Sequence, residues 1–574
     1  MPASSVAADV GAPDLLARVS VLRDEVERAE LPLDLPSTAD ARANRDALLR
    51  QLDDYVIPRL ASIDAPLLAV VGGSTGAGKS TLVNSVLRRE VSTTGVLRPT
   101  TTSPVLIHHP EDSRWFRDSR VLPSLARVTG ATDAEPQPGT VRLVASDELP
   151  SGMALLDAPD IDSVVAANRG LANQLLQAAD LWLFVTTAAR YADAVPWELL
   201  RQASDRGTAV AIVLDRVDRD AVQDVRGHLV DMLREQGLET SPVFTVPETD
   251  LDERGLIPEA DIARLRSWLG ALAGDQRARG IVIRQTLSGA LRSLDERSAE
   301  LVSAMETQQH QVFDLKGAAF AAYDKAEQQV KDGMSDGQLL RGEVLARWQE
   351  FVGTGEFFRK VESGVSKVRD RITSAVKGAP PPSKPLDEAL HDGVAALVQA
   401  EADAAAATVA RQWRAAEAGP ALLDAHPALT RSSSDLQATI ERTVRDWQGD
   451  VLDIVRAEGG NRRTNARIAA YGVNGIGLFL MLVSFAHTGG VLVAPEVAIA
   501  GGTTALAQKV LEAIFGDQAV REMSAQARTL LLERVRDIYA DERERYEAAL
   551  GGKSISDGQI RRLTEAAQAV GTAL

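Results

Sequence analysis

The 574-residue chain contains no cysteine, which excludes disulfides and thiolate metal sites and suits a reducing cytosol. Aromatic residues are only 4% of it, while Ala, Leu, Val and Arg are abundant, a balance that favours helix over a β-sandwich. Positive charge is also in deficit. Lys and Arg number 63 against 80 Asp and Glu, for a net charge of −17. Sequence-independent binding of nucleic acid needs clustered cations on phosphates, so no nucleic-acid partner is expected. The first residues lack the basic segment and apolar core of a secretory signal, and 1–12 read as a disordered tail. The length exceeds one ordinary core and predicts about three or four domains.

Helical spacing runs through 13–30 and 39–61, with Pro58 expected to interrupt the second helix near its end. Apolar runs then alternate with helical stretches across 65–250, which predicts an α/β domain with a largely parallel sheet. The expected strands are 67–71, 104–108, 141–144, 153–156, 181–186, 209–214 and 243–246. From about 258 the character changes to long Ala-, Leu-, Glu- and Arg-rich helices without strand alternation. The proline-rich run at 379–385 breaks that half. These shifts divide the chain at 1–64, 65–257, 258–378, 379–385, 386–465, 466–510 and 511–574.

The stretch 468–486 carries no charge, 487–490 reads as a turn, and 491–507 is again mostly apolar, interrupted by Pro495 and Glu496. A membrane-crossing helix needs about 20 apolar residues, which the first segment meets. Arg462, Arg463 and Arg467 precede the pair and Lys509 follows it, placing both ends on the cytoplasmic side of a bilayer. An apolar helical hairpin that inserts in or spans the membrane is expected at 468–508. A hairpin buried in a protein core is the alternative. A basic stretch at 355–384 (Arg359, Lys360, Lys367, Arg369, Arg371, Lys377, Lys384) offers a second surface for anionic lipid, or an ordinary solvated helix face.

Gly73-Ser74-Thr75-Gly76-Ala77-Gly78-Lys79-Ser80 match the phosphate-binding pattern G-x-x-x-x-G-K-[ST], between an apolar strand and a helix opening at Thr81. In that setting backbone N–H groups turn inward around a phosphate, and the helix N-terminus adds free donors. Lys79 is expected on the β- and γ-phosphates and Ser80 on Mg2+. The pattern identifies a nucleotide but not its base. After the strand at 209–214 comes Asp215-Arg216-Val217-Asp218. This resembles the [NT]-K-x-D pattern that GTPases place after such a strand, which implies that Asp218 would accept from guanine N1 and its exocyclic amine and that the stem of Arg216 would cover the base. Asp215 replaces the usual Asn or Thr. Between the two motifs lies Asp157-Ala158-Pro159-Asp160, whose Asp157 is expected to hold Mg2+ through water. Asp160 stands where a glycine N–H would meet the γ-phosphate, and its charge is repulsive there unless turned away. Thr101, with Thr102 as the second choice, is expected to close on Mg2+ and the γ-phosphate.

In their order, these motifs resemble those of the dynamin-related and Era-like GTPases. The long helical half with its apolar hairpin is similar to bacterial dynamin-like proteins, and the Ala-, Arg- and Val-rich composition resembles actinobacterial chains. The resemblance implies a P-loop GTPase domain at 65–257, a helical bundle and stalk carrying a membrane-inserting paddle at 466–510, and N-terminal helices that pack with the bundle. It implies GTP as substrate, GDP as product and Mg2+ as cofactor. Gly73, Ser74, Thr75, Gly76, Ala77, Gly78, Lys79, Ser80 and Thr81 would bind phosphates, and Arg216 and Asp218 the base. Ser80, Thr101 and Asp157 would hold the metal, with Lys79, Thr101 and Asp157 serving hydrolysis. It further implies partners in anionic membrane lipid and in a second copy or a paired dynamin-like protein, a place on the cytoplasmic face of the cell membrane, and a link to division proteins at the septum. Dynamins usually carry Gln at the position of Thr75, so assembly-stimulated turnover is not implied directly. Alternatives from the same residues are a degenerate GTP-binding scaffold with little hydrolysis, a soluble P-loop NTPase, or an ATPase.

Overall fold

The computed structural model describes residues 12–92, 104–118, 120–129, 139–163, 166–335, 384–458, 511–512 and 514–573. The chain divides into two compact units. The first comprises Met1–Leu31, Ser37–Thr307 and Ile555–Leu574, and the second Pro32–Pro36 and Gln308–Ser554. Each unit is assembled from separated pieces of chain.

The first unit opens with α1 (Ala12–Arg28) and α2 (Thr38–Gln51), continued by one π-helical turn at Leu52–Val56 into α3 (Ile57–Ala61). The expected interruption at Pro58 takes the form of that wider turn. Proline lacks an N–H and crowds the carbonyl four residues back, and a π-turn absorbs the mismatch without ending the helix. There follow β1 (Leu67–Gly73), α4 (Lys79–Val86), β2 (Val105–His108), α5 (Ser113–Phe116), β3 (Ala126–Val128), β4 (Thr140–Ala145) and β5 (Met153–Asp157). Then come α6 (Ala166–Gln177), β6 (Leu181–Thr187), α7 (Ala194–Asp205), β7 (Ala209–Val217), α8 (Val222–Glu235), β8 (Val243–Pro247) and α9 (Glu259–Gly274). All seven expected strands form. The short edge strand β3 was not anticipated. It is three residues long, too short for its pattern to announce a strand.

The strands make one sheet in the order β3-β4-β2-β5-β1-β6-β7-β8. Neighbours are parallel except β2 and β5, so the sheet is largely parallel, as the alternation of strands and helices predicts. Successive side chains point to opposite faces. Leu68, Val70, Leu156, Phe184 and Ile212 pack on one face with Leu175, Leu200 and Leu229 of the helices. Ala69, Val71, Leu155, Leu183 and Val213 pack on the other with Leu82, Val83, Ile262 and Leu265. Burial on both faces is why these strands read as unbroken apolar runs. β1 lies between β5 and β6, and the chain leaves it first to one side and then to the other. Its C-terminal end is therefore the crevice where ligands settle in open α/β sheets.

The long helix α10 (Gln276–Ser335) gives its residues up to Thr307 to this unit. Leu287, Leu291, Leu294 and Leu301 pack there with Val19, Leu22 and Val26 of α1, Leu48 of α2 and Leu563 near the C-terminus. The second unit holds the rest of α10 with α11 (Lys384–Ala415), α12 (Gly419–Ala425), α13 (Leu436–Glu458) and α14 (Asp517–Ala549). The last helix, α15 (Asp557–Gly571), belongs to the first unit. Large aromatics fill the helical core of the second unit, and their polar atoms are satisfied on backbone. Trp413 Nε1 donates to the Leu315 carbonyl (3.0 Å), Trp447 Nε1 to Ala527 (2.8 Å) and the Tyr539 hydroxyl to Val398 (2.8 Å). The chain is thus an α/β sheet domain followed by a long helical region. The expected hairpin at 468–508, the basic stretch expected at 355–384 apart from Lys384, and the tail expected at 1–12 apart from Ala12 lie outside the described residues. Among the described residues no helix is long and apolar enough to cross a membrane.

Candidate nucleotide-binding site

β1 ends in Gly73, and Ser74 to Gly78 carry the chain to the first turn of α4 at Lys79. Glycine is required at two points of this loop by contact. A Cβ on Gly73 would lie 2.0 Å from the Val185 carbonyl of β6, and one on Gly78 would lie 2.3 Å from Asp215 Oδ2. Gly78 also has a φ of +89°, in the left-handed region that side chains avoid. The loop is thus pressed against the ends of β6 and β7. Lys79 is buried, and its ammonium donates back to the carbonyls of Gly73 (3.0 Å) and Ser74 (3.1 Å). Thr81 follows in α4.

The segment from the end of β5 lies along this loop. Its backbone is tied to β1: the Ala158 N–H donates to Val71 and the Ile161 N–H to Gly73. Three acids of the segment each take one polar residue of the phosphate-binding stretch. Asp157 Oδ2 accepts from the Ser80 hydroxyl (2.7 Å). Asp160 Oδ1 pairs with the Lys79 ammonium. Asp162 Oδ1 accepts both the Thr75 backbone N–H (2.5 Å) and the Thr75 hydroxyl (2.7 Å). Sequence reasoning placed Asp157 and Asp160 near the loop but did not single out Asp162, whose signal was only a third acid in DAPDID.

Burial pushes the Asp157 carboxyl up, against the Ser80 hydrogen bond and the Lys79 charge that favour its ionised form. Its Oδ1 is fully buried and has no hydrogen-bond partner. A buried carboxylate with an open oxygen beside a serine hydroxyl suits a hard, oxygen-seeking divalent cation such as Mg2+. For Asp162, burial alone would raise the carboxyl, but the Thr75 hydrogen bonds and the Arg190 guanidinium hold it below the usual range.

Sequence reasoning also missed Arg190, in the loop between β6 and α7. Its guanidinium donates to the Thr75 carbonyl (2.9 Å), to Asp162 Oδ2 (2.8 Å) and to Asp193 Oδ2 (2.8 Å). An arginine in an unremarkable loop has no sequence signature. Only the fold brings it to the P-loop.

At the end of β7 the pairing with β8 shifts register between Leu214 and Val217. Arg216 sits in that irregularity with φ +53°. The kink keeps Asp215 buried under Gly78 and turns Arg216 and Asp218 to solvent. Burial pushes the Asp215 carboxyl up to about 6. Asp218 caps its own turn, accepting the Asp220 N–H (3.0 Å). The structure therefore brings together Gly73 to Ser80 with Asp157, and brings Asp215 beneath the loop. Arg216 lies near Gly78, and both it and Asp218 are exposed. Thr101 and Thr102 lie outside the described residues.

Residues 68–217 match the family model described as the dynamin family. No curated protein sequence matches the chain. Among solved structures, two chains of an oligomerised bacterial dynamin pair, described as sensing and tethering membranes over long range, align with 97% of this chain. They are 10% and 8% identical to it, cover 99% and 95% of their own lengths, and have TM-scores of 0.46 and 0.45. Era of Aquifex aeolicus bound to GDP and aluminium fluoride aligns with 36% of this chain and 56% of its own at 19% identity, with a TM-score of 0.24. At those scores nothing further is argued from the structures. The family match spans the sheet from β1 to β7, with the P-loop, the acidic turn and the Asp215 bulge, so over those residues this chain carries a domain that matches the dynamin family.

Proposed function

We propose that the chain hydrolyses GTP with Mg2+ at the C-terminal end of β1 and couples that reaction to membrane association. In this reading Gly73 to Thr81 cradle the phosphates, Lys79 neutralises the β- and γ-phosphates, Ser80 and Asp157 hold Mg2+ with Thr101, and Arg216 and Asp218 receive the guanine. Mg2+, when bound, supplies charge neutralisation on the β- and γ-oxygens. Asp157 would face it as a carboxylate, Lys79 would orient the terminal phosphates, and the loop's N–H groups would donate to their oxygens. The observation that carries the reading is the pairing of Asp160 with Lys79 and of Asp162 with the Thr75 N–H. Two carboxylates rest on P-loop donors of the kind that bind phosphate, so the loop is an anion receptor in its present shape.

The apolar stretch 468–508 and the basic stretch 355–384 support contact with anionic lipid, on the cytoplasmic face of a membrane. In this reading the protein partner is a second copy of this chain or a paired dynamin-like protein. The division septum is one place where such a protein would act.

The test is GTP and ATP turnover by the full chain, with and without anionic liposomes, beside Lys79→Ala. GTP-selective turnover, lost in the variant and raised by liposomes, is expected. Preference for ATP overturns the base assignment at Asp218. A second reading, a scaffold that binds GTP and barely hydrolyses it, is favoured by the Lys79–Asp160 pair, which a triphosphate must break. Tight GTP binding without turnover in every condition selects it.

A further inference from the structure

The Asp162 carboxylate is held by donors from two separate elements. On one side are the backbone N–H and hydroxyl of Thr75, both on Oδ1. On the other is the Arg190 guanidinium, on Oδ2 at 2.8 Å, which also donates to the Thr75 carbonyl at 2.9 Å. Thr75 is a P-loop residue, and a carboxylate accepting its N–H is an anion seated at the rim of the phosphate cradle. One residue pair away, the Asp160 carboxylate is seated on Lys79 in the same manner. Both acids belong to one short turn, fixed to β1 by the Ile161 N–H. A nucleotide whose terminal phosphates enter the cradle replaces these carboxylates, because phosphate oxygens and carboxylate oxygens seek the same donors. Lys79 is then left to the phosphates, and so is Arg190.

We propose that Arg190 is the cation supplied from within the chain to the terminal phosphate during hydrolysis, and that Asp162 is the carboxylate that competes with the phosphate for it. This rests on the GTPase reading of the same site. In the reaction the attacking water's oxygen forms a bond to Pγ as the bond from Pγ to the β–γ bridging oxygen breaks. The leaving GDP takes the electron pair, and the water's proton goes to the released phosphate. Charge builds on the bridging oxygen and is spread over the γ-oxygens. A guanidinium supplied in cis stabilises that charge where a neutral loop would not. Arg190 is suited to this in three ways. Its planar fork can keep one N–H on the Thr75 carbonyl while another serves an oxygen of the phosphate. Its anchor Asp193 holds Nε independently of Asp162, at 2.8 Å. Its side chain is 38% exposed, which leaves room to turn.

The experiment uses the full chain as wild type, Arg190→Ala, Arg190→Lys and Asp162→Asn. It measures GTP turnover, GDP and GTP affinity, melting temperature, and trapping of GDP by aluminium fluoride, which mimics the transferring phosphoryl group. For Arg190→Ala we expect kcat to fall about 100-fold or more, GDP affinity to stay within about threefold, and the aluminium fluoride complex to be lost. Arg190→Lys is expected to recover less than about a tenth of the loss, since one ammonium cannot hold the carbonyl and the phosphate together. Asp162→Asn, which releases the arginine, is expected to tighten GTP relative to GDP by about threefold or more. A merely structural role predicts instead that GDP affinity and melting temperature fall in step with turnover, and that result overturns the proposal. So does turnover in Arg190→Ala within about threefold of wild type. If wild type itself neither turns over nor traps aluminium fluoride, the hydrolysis reading fails and takes the proposal with it. Turnover kept by Arg190→Ala removes the proposal alone.

Discussion

Asp215 occupies a position that the motif usually gives to an amide, and the structure shows what the acid meets there. It is 5% exposed, beneath Gly78 and beside Glu248, and burial pushes its carboxyl from 3.8 up to about 6. A folded-state pKa above the unfolded value means that the neutral form is the favoured one in the fold. The associated stability is fully present below about pH 4 and is lost as pH rises through about 6. At pH 7 the wild-type protein carries the cost of an ionised, buried carboxylate. Asp215→Asn removes the charge and keeps an acceptor for the Arg216 N–H. It is expected to stabilise the first unit at pH 7 to 8 by up to about 3 kcal/mol, with the gain shrinking steadily toward pH 5. Thermal melts of both proteins across that range check it, and a gain independent of pH would remove the charge as its cause. The same residue marks a limit of reading from sequence. That Asp215 departs from the motif is visible in the sequence, but that it lies against Gly78 depends on a register shift at the end of β7, which no local pattern announces.

At the scale of elements, the sheet was largely legible because its central strands are buried on both faces and read as apolar runs. The ion pair that fastens it was not. Arg59, in α3, pairs with Asp180 just before β6, and both are almost fully buried. Asp180 also accepts from the Leu68 N–H of β1 (2.8 Å) and the Tyr55 hydroxyl (3.2 Å), while its own carbonyl accepts from Thr286 of α10 (2.8 Å). Arg59 further donates to the carbonyls of Ala65 and Pro66. One carboxylate thus ties α3, the start of β1 and the start of β6 together, with α10 bound through the same residue's carbonyl. Asp180 lies more than a hundred residues in sequence from each of Tyr55, Arg59, Leu68 and Thr286, and none of them belongs to a motif. Removing one partner strands a buried charge, which typically costs about 3–5 kcal/mol, whereas replacing both by apolar groups is far milder. Asp180→Ala is therefore expected to lower the melting temperature sharply, and Arg59→Met with Asp180→Leu to recover most of the loss. Equal destabilisation by the single and double variants would show that packing, not the unpaired guanidinium, sets the cost.

At the scale of the molecule, the chain returns to its beginning. Pro32–Pro36 and Gln308–Ser554 form the second unit, and α15 then closes the first unit against α1. Composition alone divides a chain at its linkers and cannot show that α15 packs with α1, more than five hundred residues earlier. The signals for that helix are local: Ser556 and Gln559 cap its N-terminus reciprocally, and Ile560, Leu563, Ala567 and Val570 fall on one face at helical spacing. What the face covers follows only from the fold. Leu563 and Val570 lie in the same core as Val19, Leu22 and Val26 of α1 and Leu287 and Leu291 of α10. Burying each large apolar side chain contributes about 1.5–3 kcal/mol, so loss of Ile560, Leu563 and Val570 removes several kcal/mol from a unit that also holds the nucleotide site. Deletion of 555–574 is expected to lower the melting temperature of that unit, expose the α1 face to an apolar dye, and weaken GDP binding without altering any residue of the P-loop. A saturating nucleotide should recover part of the lost stability by mass action. If the deleted chain melts and binds GDP as the full chain does, α15 is not part of what holds the nucleotide-binding unit together.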